Sequence, residues 1–328
     1  MLDLLYSQLA RARRRYYQQR PHLRRRLAAP VISIGNLTVG GSSKTPLAAE
    51  IARMLIKMGE RPSILSRGYA RKIVEEGVVV VSDGTRVLTP VDRSGDEPQM
   101  LAHNVPGAAV LVSSSRYVAG RLAETQLGCT IHVLDDGFQH FDLMRDIDLL
   151  VVPDRSEGTR TLPYGRLREP LDISSAADAM LVDAEVHSEG GQVGPDRPTF
   201  TFSRRLNGPA PGRPAFAFAG IARPERFFED LERAGWTLIG RRAFRDHHHY
   251  SVPELEAITQ AAGGCGAAVI LTTEKDFVRL GSDPRTGTGV RPQLALPIVA
   301  VPLEVTIEPS FQPWLAERLR AARPSRGA

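Results

Sequence analysis

The chain has 328 residues, 42% of them hydrophobic and 24% charged, a composition that suits a soluble protein of two domains and excludes a fibrous, collagen-like or wholly disordered one. Its longest apolar runs, Ile147 to Pro153 and Gly107 to Val112, fall far short of the roughly 20 residues that cross a bilayer, so no transmembrane helix is expected. The formal charge of +5 is concentrated: residues 1–26 hold eight arginines against one acid, Asp3, which gives that segment +7 and leaves −2 for the rest.

In chain order, Leu2, Leu5, Leu9, Ala12 and Tyr16 recur at three- and four-residue spacing and predict a helix over residues 2–19, stopped or kinked by Pro21. Arginines flank that apolar stripe. Three partners suit such a helix: an anionic membrane surface, which is the preferred reading, the protein's own fold, and nucleic acid, which is disfavoured because no RNA- or DNA-binding motif accompanies the arginines. A secretory leader needs an unbroken apolar core of about 7 to 15 residues. Here leucines and arginines intermix, and the chain is expected to stay in the cytoplasm.

From Pro30 onward, short aliphatic runs alternate with helical stretches, the pattern of a mostly parallel sheet covered by helices. Strands are expected at 31–34, 62–66, 78–82, 108–112, 130–134, 147–152 and 179–182, with helices at 45–58 and 115–127. A Pro/Gly cluster at 207–214 marks a domain boundary. Beyond it the alternation restarts with AFAFAG at 215–220, helices near 224–234 and 253–262, and AVILTT at 268–273. The expected organisation is a basic amphipathic segment (1–29), a larger α/β domain (30–207), a smaller α/β domain (215–305) and a C-terminal helix and tail (306–328). Loops are expected at 188–197 and 281–292. Cys129 and Cys265 are too few for a disulfide framework and read as small packing residues.

The strand VISI runs into Gly35 through Thr45, GNLTVGGSSKT, and then into an apolar-periodic helix. Strand, glycine-rich loop, Lys-Thr and helix start are the ingredients of a phosphate-binding loop. Backbone N–H groups of Gly40, Gly41, Ser42 and Ser43 would cradle the phosphates, Lys44 would reach the β/γ oxygens and Thr45 would hold Mg²⁺. The strict pattern has glycine where Thr38 and Ser43 stand. A second strand, TIHVL, ends in Asp135-Asp136, where a P-loop enzyme places its acidic Mg²⁺ partner.

With these residues in view, the chain resembles the tetraacyldisaccharide 4'-kinase family. The resemblance rests on ISIGNLTVGG..KTP, SRGYAR (66–71), SGDEP (94–98), LDDGFQH (134–140), GRLREP (165–170), DHHHY (246–250) and TTEKD (272–276). Ser43 departs from it, because the family has glycine before the lysine. What the resemblance implies is ATP-dependent phosphorylation of an acylated glucosamine disaccharide 1-phosphate at an anionic membrane surface, with the active site between the two α/β domains. It implies Asp96 as base, a histidine of the DHH motif as its partner, Arg168 near the transferring phosphate, Glu169 with Mg²⁺ and Gln139 beside nucleotide or water. Consecutive side chains diverge, so His247, His248 and His249 cannot all serve one site; His247 is preferred, with His248 and a structural cluster as alternatives. Arg67, Tyr69 and Glu97 are expected near the cleft without an assigned role. TTEKD resembles a guanine-reading motif only superficially, which favours ATP over GTP. The competing class is a membrane-associated P-loop NTPase that uses water as acceptor and has no need of Asp96 or a histidine.

Overall fold

Near-continuous Val, Ile and Leu runs become strands because both sheet faces are covered, leaving no face that wants polar residues. In the computed structural model, which describes residues 2–40, 43–69, 71–152, 158–188, 197–280 and 295–323, these runs form two sheets. Gly41, Ser42, most of the expected 188–197 loop and all of the 281–292 loop lie outside the described residues.

The strands are β1 (Val31–Asn36), β2 (Pro62–Ser66), β3 (Val79–Asp83), β4 (Ala109–Val112), β5 (Ile131–Asp135), β6 (Ile147–Val151), β7 (Ala179–Asp183), β8 (Thr199–Leu206), β9 (Ala215–Ala219), β10 (Leu238–Ala243), β11 (Val269–Thr273), β12 (Ile298–Val301) and β13 (Leu303–Ile307). The helices are α1 (Leu2–Gln18), α2 (Lys44–Lys57), α3 (Val91–Ser94), α4 (Asp96–Asn104), α5 (Arg116–Leu127), α6 (Ala184–Ser188), α7 (Pro224–Arg233), α8 (Val252–Gly264), α9 (Glu274–Arg279) and α10 (Phe311–Ala322).

The larger sheet runs β13-β8-β7-β6-β1-β5-β2-β4-β3 and is parallel except at its edges, where β13 pairs antiparallel with β8 and β3 with β4. β1 lies inside it, all six residues buried, with Ile34 opposite both Asp135 of β5 and Leu149 of β6. Leu47, Ile51 and Leu55 follow one another at four-residue spacing on α2 and are fully buried against one face. Each such side chain stabilises the fold by about 1.5–3 kcal/mol. The opposite face is covered by α5 through Ala119 and Ala123. The smaller sheet, β10-β9-β11-β12, is all parallel.

Two expectations are corrected. The smaller unit does not run to 305: β13 pairs with β8, so the chain rejoins the larger sheet after Pro302. α10 follows it there and packs Phe311 on Phe200, their rings 5.2 Å apart. Cys129 is buried as expected, but Cys265 is exposed at the end of α8. Among the described residues no helix is long and apolar enough to cross a membrane.

Helix α1 presents two faces. Leu2, Leu5, Leu9, Ala12 and Tyr16, the stripe found in the sequence, are all exposed. The opposite side is the docked one, with Arg14 buried and Tyr17 against Phe141.

Candidate active site

The phosphate loop leaves the end of β1, where parallel α/β sheets place ligands. A Cβ on Gly35 would stand 2.4 Å from the Phe138 Cβ, so glycine is what lets this strand end and the loop after β5 close on each other. Residues 37–39 are held from the other side: Val39 N–H donates to Arg166 O at 2.8 Å and Arg168 N–H to Leu37 O at 2.6 Å. Gly40 needs its positive φ of 105°, and a Cβ there would strike the Arg166 guanidinium.

At the head of α2, the Lys44 ammonium donates to Asn36 Oδ1 at 2.8 Å and lies 3.3 Å from Asp136 Oδ1. The Thr45 hydroxyl donates to Asp135 Oδ2 at 3.2 Å, and Arg168 donates to Asp136 Oδ2 at 2.8 Å. The two neighbouring carboxylates therefore have different surroundings. Burial, aided by the charges of Glu97 and Asp136, pushes Asp135 up to about 7 against Lys44 and Thr45. Burial also opposes ionisation of Asp136, but Lys44 and Arg168 outweigh it and hold that carboxyl below its ordinary value.

Asp135 Oδ1 is buried without a hydrogen-bond partner among the described residues. Among the described residues no group of three or more His, Cys, Asp or Glu is arranged to cage an ion. A hydroxyl and one or two carboxylates, with the remaining positions left to phosphate and water, is how Mg²⁺ is ordinarily held, so Thr45, Asp135 and Asp136 fit it. Glu169, expected beside the metal, is buried with both oxygens on Arg14, at 3.1 and 2.7 Å. Gln139 spans the two groups, its Nε2 donating to Asn36 O at 2.9 Å and to Glu169 Oε2 at 3.3 Å.

A second cluster is built on the start of α4. Gly95, at φ 84°, turns the chain so that Asp96 opens the helix almost fully buried. Its Oδ1 accepts from Glu97 N–H at 2.9 Å. Its Oδ2 meets His247 Nδ1 at 3.0 Å and the Arg279 Nε at 2.7 Å. Burial favours the neutral acid, yet the His247 hydrogen bond and the charges of Lys275 and Arg279 overcome it and keep Asp96 well below the usual carboxylate range. Lys275 lies 3.3 Å from His247 Nε2 and 3.1 Å from Glu97 Oε1. Burial would lower its ammonium, but Glu97, Asp96 and Asp246 raise it.

The histidine run resolves by direction. His247 turns to Asp96, with φ 58° and its N–H on Gly220 O. His248 stacks on Phe244 at 4.7 Å and bonds Glu254 at the head of α8, which makes it part of that unit's packing. His249 lines a small pocket beside Asp96 and Arg279. The Tyr69 ring stands edge-on to His247 at 5.2 Å.

One cleft of about 990 Å³ connects the two clusters, lined by Lys44, Thr45, Asp135, Arg168, His247 and Lys275. Asp96 sits behind His247, facing the adjoining pocket. Three site residues went unassigned in the sequence reading. Lys275 and Arg279 lie four apart on α9, hence on one face of the helix, and the TTEKD motif is the signal that could have led to them. Arg116 is buried on the cleft wall, its Nε without a hydrogen-bond partner among the described residues. Burial and the neighbouring Arg67 lower it to about 10, which leaves it charged near neutrality.

A phosphate loop with its Lys-Thr pair and an acidic strand end, facing an Asp-His pair across one cleft, defines a P-loop phosphotransferase. Comparison with known proteins agrees. A family model described as tetraacyldisaccharide-1-P 4'-kinase matches residues 1–320. Curated tetraacyldisaccharide 4'-kinases from Desulfotalea psychrophila and Pelobacter propionicus are 36% and 39% identical, covering 86% and 85% of this chain and 87% and 81% of theirs. The structure of the apo form of LpxK from Aquifex aeolicus in complex with ATP superposes with a TM-score of 0.78 over 97% of each chain at 29% identity. This chain belongs to the tetraacyldisaccharide 4'-kinase family and is an ATP-dependent kinase of α/β P-loop fold.

Proposed function

We propose that this chain transfers the γ-phosphate of ATP to the 4'-hydroxyl of a tetraacyldisaccharide 1-phosphate at the cytoplasmic face of the inner membrane, in lipid A biosynthesis. The observation that carries the reading is the single cleft shared by the Lys44, Thr45 and Arg168 cluster and by His247, which is backed by Asp96. A nucleotide-hydrolysing switch has no use for the second cluster.

Phosphoryl transfer asks the protein mainly to position groups and to neutralise charge. Lys44 and Arg168 converge on Asp136 and supply the cations for the transferring group. Mg²⁺ held by Thr45, Asp135 and Asp136 would supply further neutralisation of the β- and γ-oxygens. A sugar hydroxyl is too weak an acid to lose its proton early. As the O–P bond forms and the bond from the γ-phosphorus to the ADP oxygen breaks, releasing ADP, the hydroxyl proton passes to the Asp96–His247 pair, whose ionised carboxylate stabilises the imidazolium. Arg279 and Lys275 keep that carboxylate ionised and in place. The outward apolar stripe of α1, with its arginines, suits docking on an anionic leaflet, where the lipid acceptor is reached.

The test is incubation of radiolabelled ATP with and without an acylated disaccharide 1-phosphate in detergent. Label should move to the lipid only when the acceptor is present. Equal ADP release with and without acceptor, and no labelled lipid, would overturn the reading.

A further inference from the structure

We infer that Arg14 of α1 is a positioning residue of the phosphoryl-transfer site, clamping from beneath the loop that carries Asp136 and Gln139 to the loop that carries Arg168 and Glu169. The inference rests on the kinase reading above and adds to it a working part from the N-terminal helix.

Most arginines of residues 1–26 are exposed, whereas Arg14 is only 5% exposed. Its guanidinium makes two parallel bonds, Nε to Glu169 Oε1 at 3.1 Å and Nη2 to Oε2 at 2.7 Å. Its flat face lies on the Phe138 ring at 4.4 Å and the Phe141 ring at 4.8 Å. Phe138 follows Asp136 by two residues, and Glu169 follows Arg168 directly. One side chain thus touches both loops. A fork-on-carboxylate pair stacked on aromatic rings fixes position and orientation together, which an ammonium on a flexible stem does not.

Above this clamp the same loops meet again through Arg168 and Asp136, at 2.8 Å. Gln139 bonds the Glu169 oxygen that Arg14 holds. Further docked contacts of α1 continue along the second loop: Ser7 with Thr161 at 2.8 Å, Asp3 with Arg160 at 3.4 Å, and Arg11 with Asp172. Glu169 is 2% exposed, so a variant without Arg14 leaves a buried carboxylate stripped of its ion-pair partner, and that group must shift or take a proton. Either change moves Arg168 and Gln139.

The experiment compares wild type, Arg14→Met, Arg14→Lys and Tyr17→Leu. Tyr17 packs the same helix on Phe141, ring centres 5.7 Å apart, without a bond to Glu169. Two quantities are read: the dissociation constant for a non-hydrolysable ATP analogue with Mg²⁺, and kcat and KM with detergent-dispersed acceptor. Arg14→Met should weaken nucleotide binding and lower kcat by about 10- to 100-fold, the usual loss when a partner that orients a site ligand is removed, with little change in acceptor KM. Arg14→Lys should recover part of both, and Tyr17→Leu should stay near wild type. Wild-type nucleotide affinity and kcat in Arg14→Met would overturn the inference. So would an equal loss in Tyr17→Leu, which would assign the effect to helix docking in general. If Arg14→Met does not fold, Arg14→Lys decides: unchanged affinity overturns the inference, and a partial loss supports it. The nucleotide titration needs no acceptor, so it stands even where wild type fails to label the lipid, which would sink the functional reading alone.

Discussion

Asp135 and Asp136 are neighbours in sequence, yet burial raises one carboxyl and two cations hold the other down. Position along the chain says little about such a difference; the partners decide it. The same reasoning separates Lys44 from Asp96. Lys44 belongs to the phosphate loop, whereas Asp96 belongs to the His247 cluster, so Lys44→Ala and Asp96→Ala should both abolish lipid phosphorylation but only the first should weaken ATP binding. Nucleotide titration of each variant checks this, and loss of ATP binding in Asp96→Ala with retained turnover in Lys44→Ala would reverse the assignment. Ser43 is a third case. It sits at φ 58°, ψ 15°, left-handed backbone that a non-glycine residue adopts at a cost of about 1–2 kcal/mol, and its side chain makes no capping hydrogen bond to α2. Ser43→Gly relieves that strain while adding roughly 0.5–1 kcal/mol of unfolded-chain freedom. The variant should be as stable as wild type or slightly more so, with ATP affinity equal or tighter. A thermal melt and a nucleotide titration measure both, and lost activity would mean that the hydroxyl itself acts on the nucleotide.

Among the elements, α9 shows how six residues can tie two units together. Its Lys275 and Arg279 reach across to Glu97 and Asp96 on α4, while Glu274 accepts from Asn104 at 2.9 Å. The cations Lys275 and Arg279 and the hydrogen bond from His247 act together on Asp96. Arg279→Met removes one cation and leaves burial less opposed, so the Asp96 pKa rises. The acid limb of the kcat/KM profile should then move to higher pH, because more of the pair is protonated, and inactive, at any given acid pH; Arg279→Lys should move it less. An unmoved limb would show that this cation does not govern the pair. Elements of this kind were the least legible in the sequence. The phosphate loop and the strands from β1 to β7 were readable because a buried parallel strand is one contiguous apolar run and the loop is one contiguous motif. Short α4 and α9 carry too few turns for a period to show, and β12 and β13 lie among prolines. Arg279 and Asp96 are 183 positions apart and Arg14 and Glu169 155 apart, distances over which no local pattern points from one partner to the other. The direction of α1 was equally hidden. Its leucine stripe was legible, but only the docked structure shows that the buried face is the polar one.

At the scale of the whole molecule, α1 turns an exposed apolar stripe outward and sets Arg14 on Glu169 on its other side, and its two faces can be disturbed separately. Leu2, Leu5 and Tyr16 are 53%, 58% and 47% exposed, so Leu2→Ser, Leu5→Ser and Tyr16→Ser together remove little packing from the fold. On a leaflet each leucine would bury surface worth about 1.5–3 kcal/mol, and a tenfold change in affinity needs only about 1.4. The triple variant should therefore pellet at least about tenfold less with anionic vesicles and show a raised KM for vesicle-borne acceptor, while kcat on detergent-dispersed acceptor stays at the wild-type value. Deletion of residues 2–20 is a different experiment. It takes Arg14 from Glu169 as well as the leucines from the surface, so it should lose turnover on both forms of the acceptor. The +7 of residues 1–26 adds an electrostatic contribution screened over about 8 Å at physiological ionic strength, and the full-length protein should leave anionic vesicles as salt rises. Vesicle sedimentation across a salt series, with anionic and neutral lipid side by side, measures each contribution. Equal binding to both lipids, insensitive to salt and to the triple substitution, would mean that the exposed stripe serves something other than a membrane.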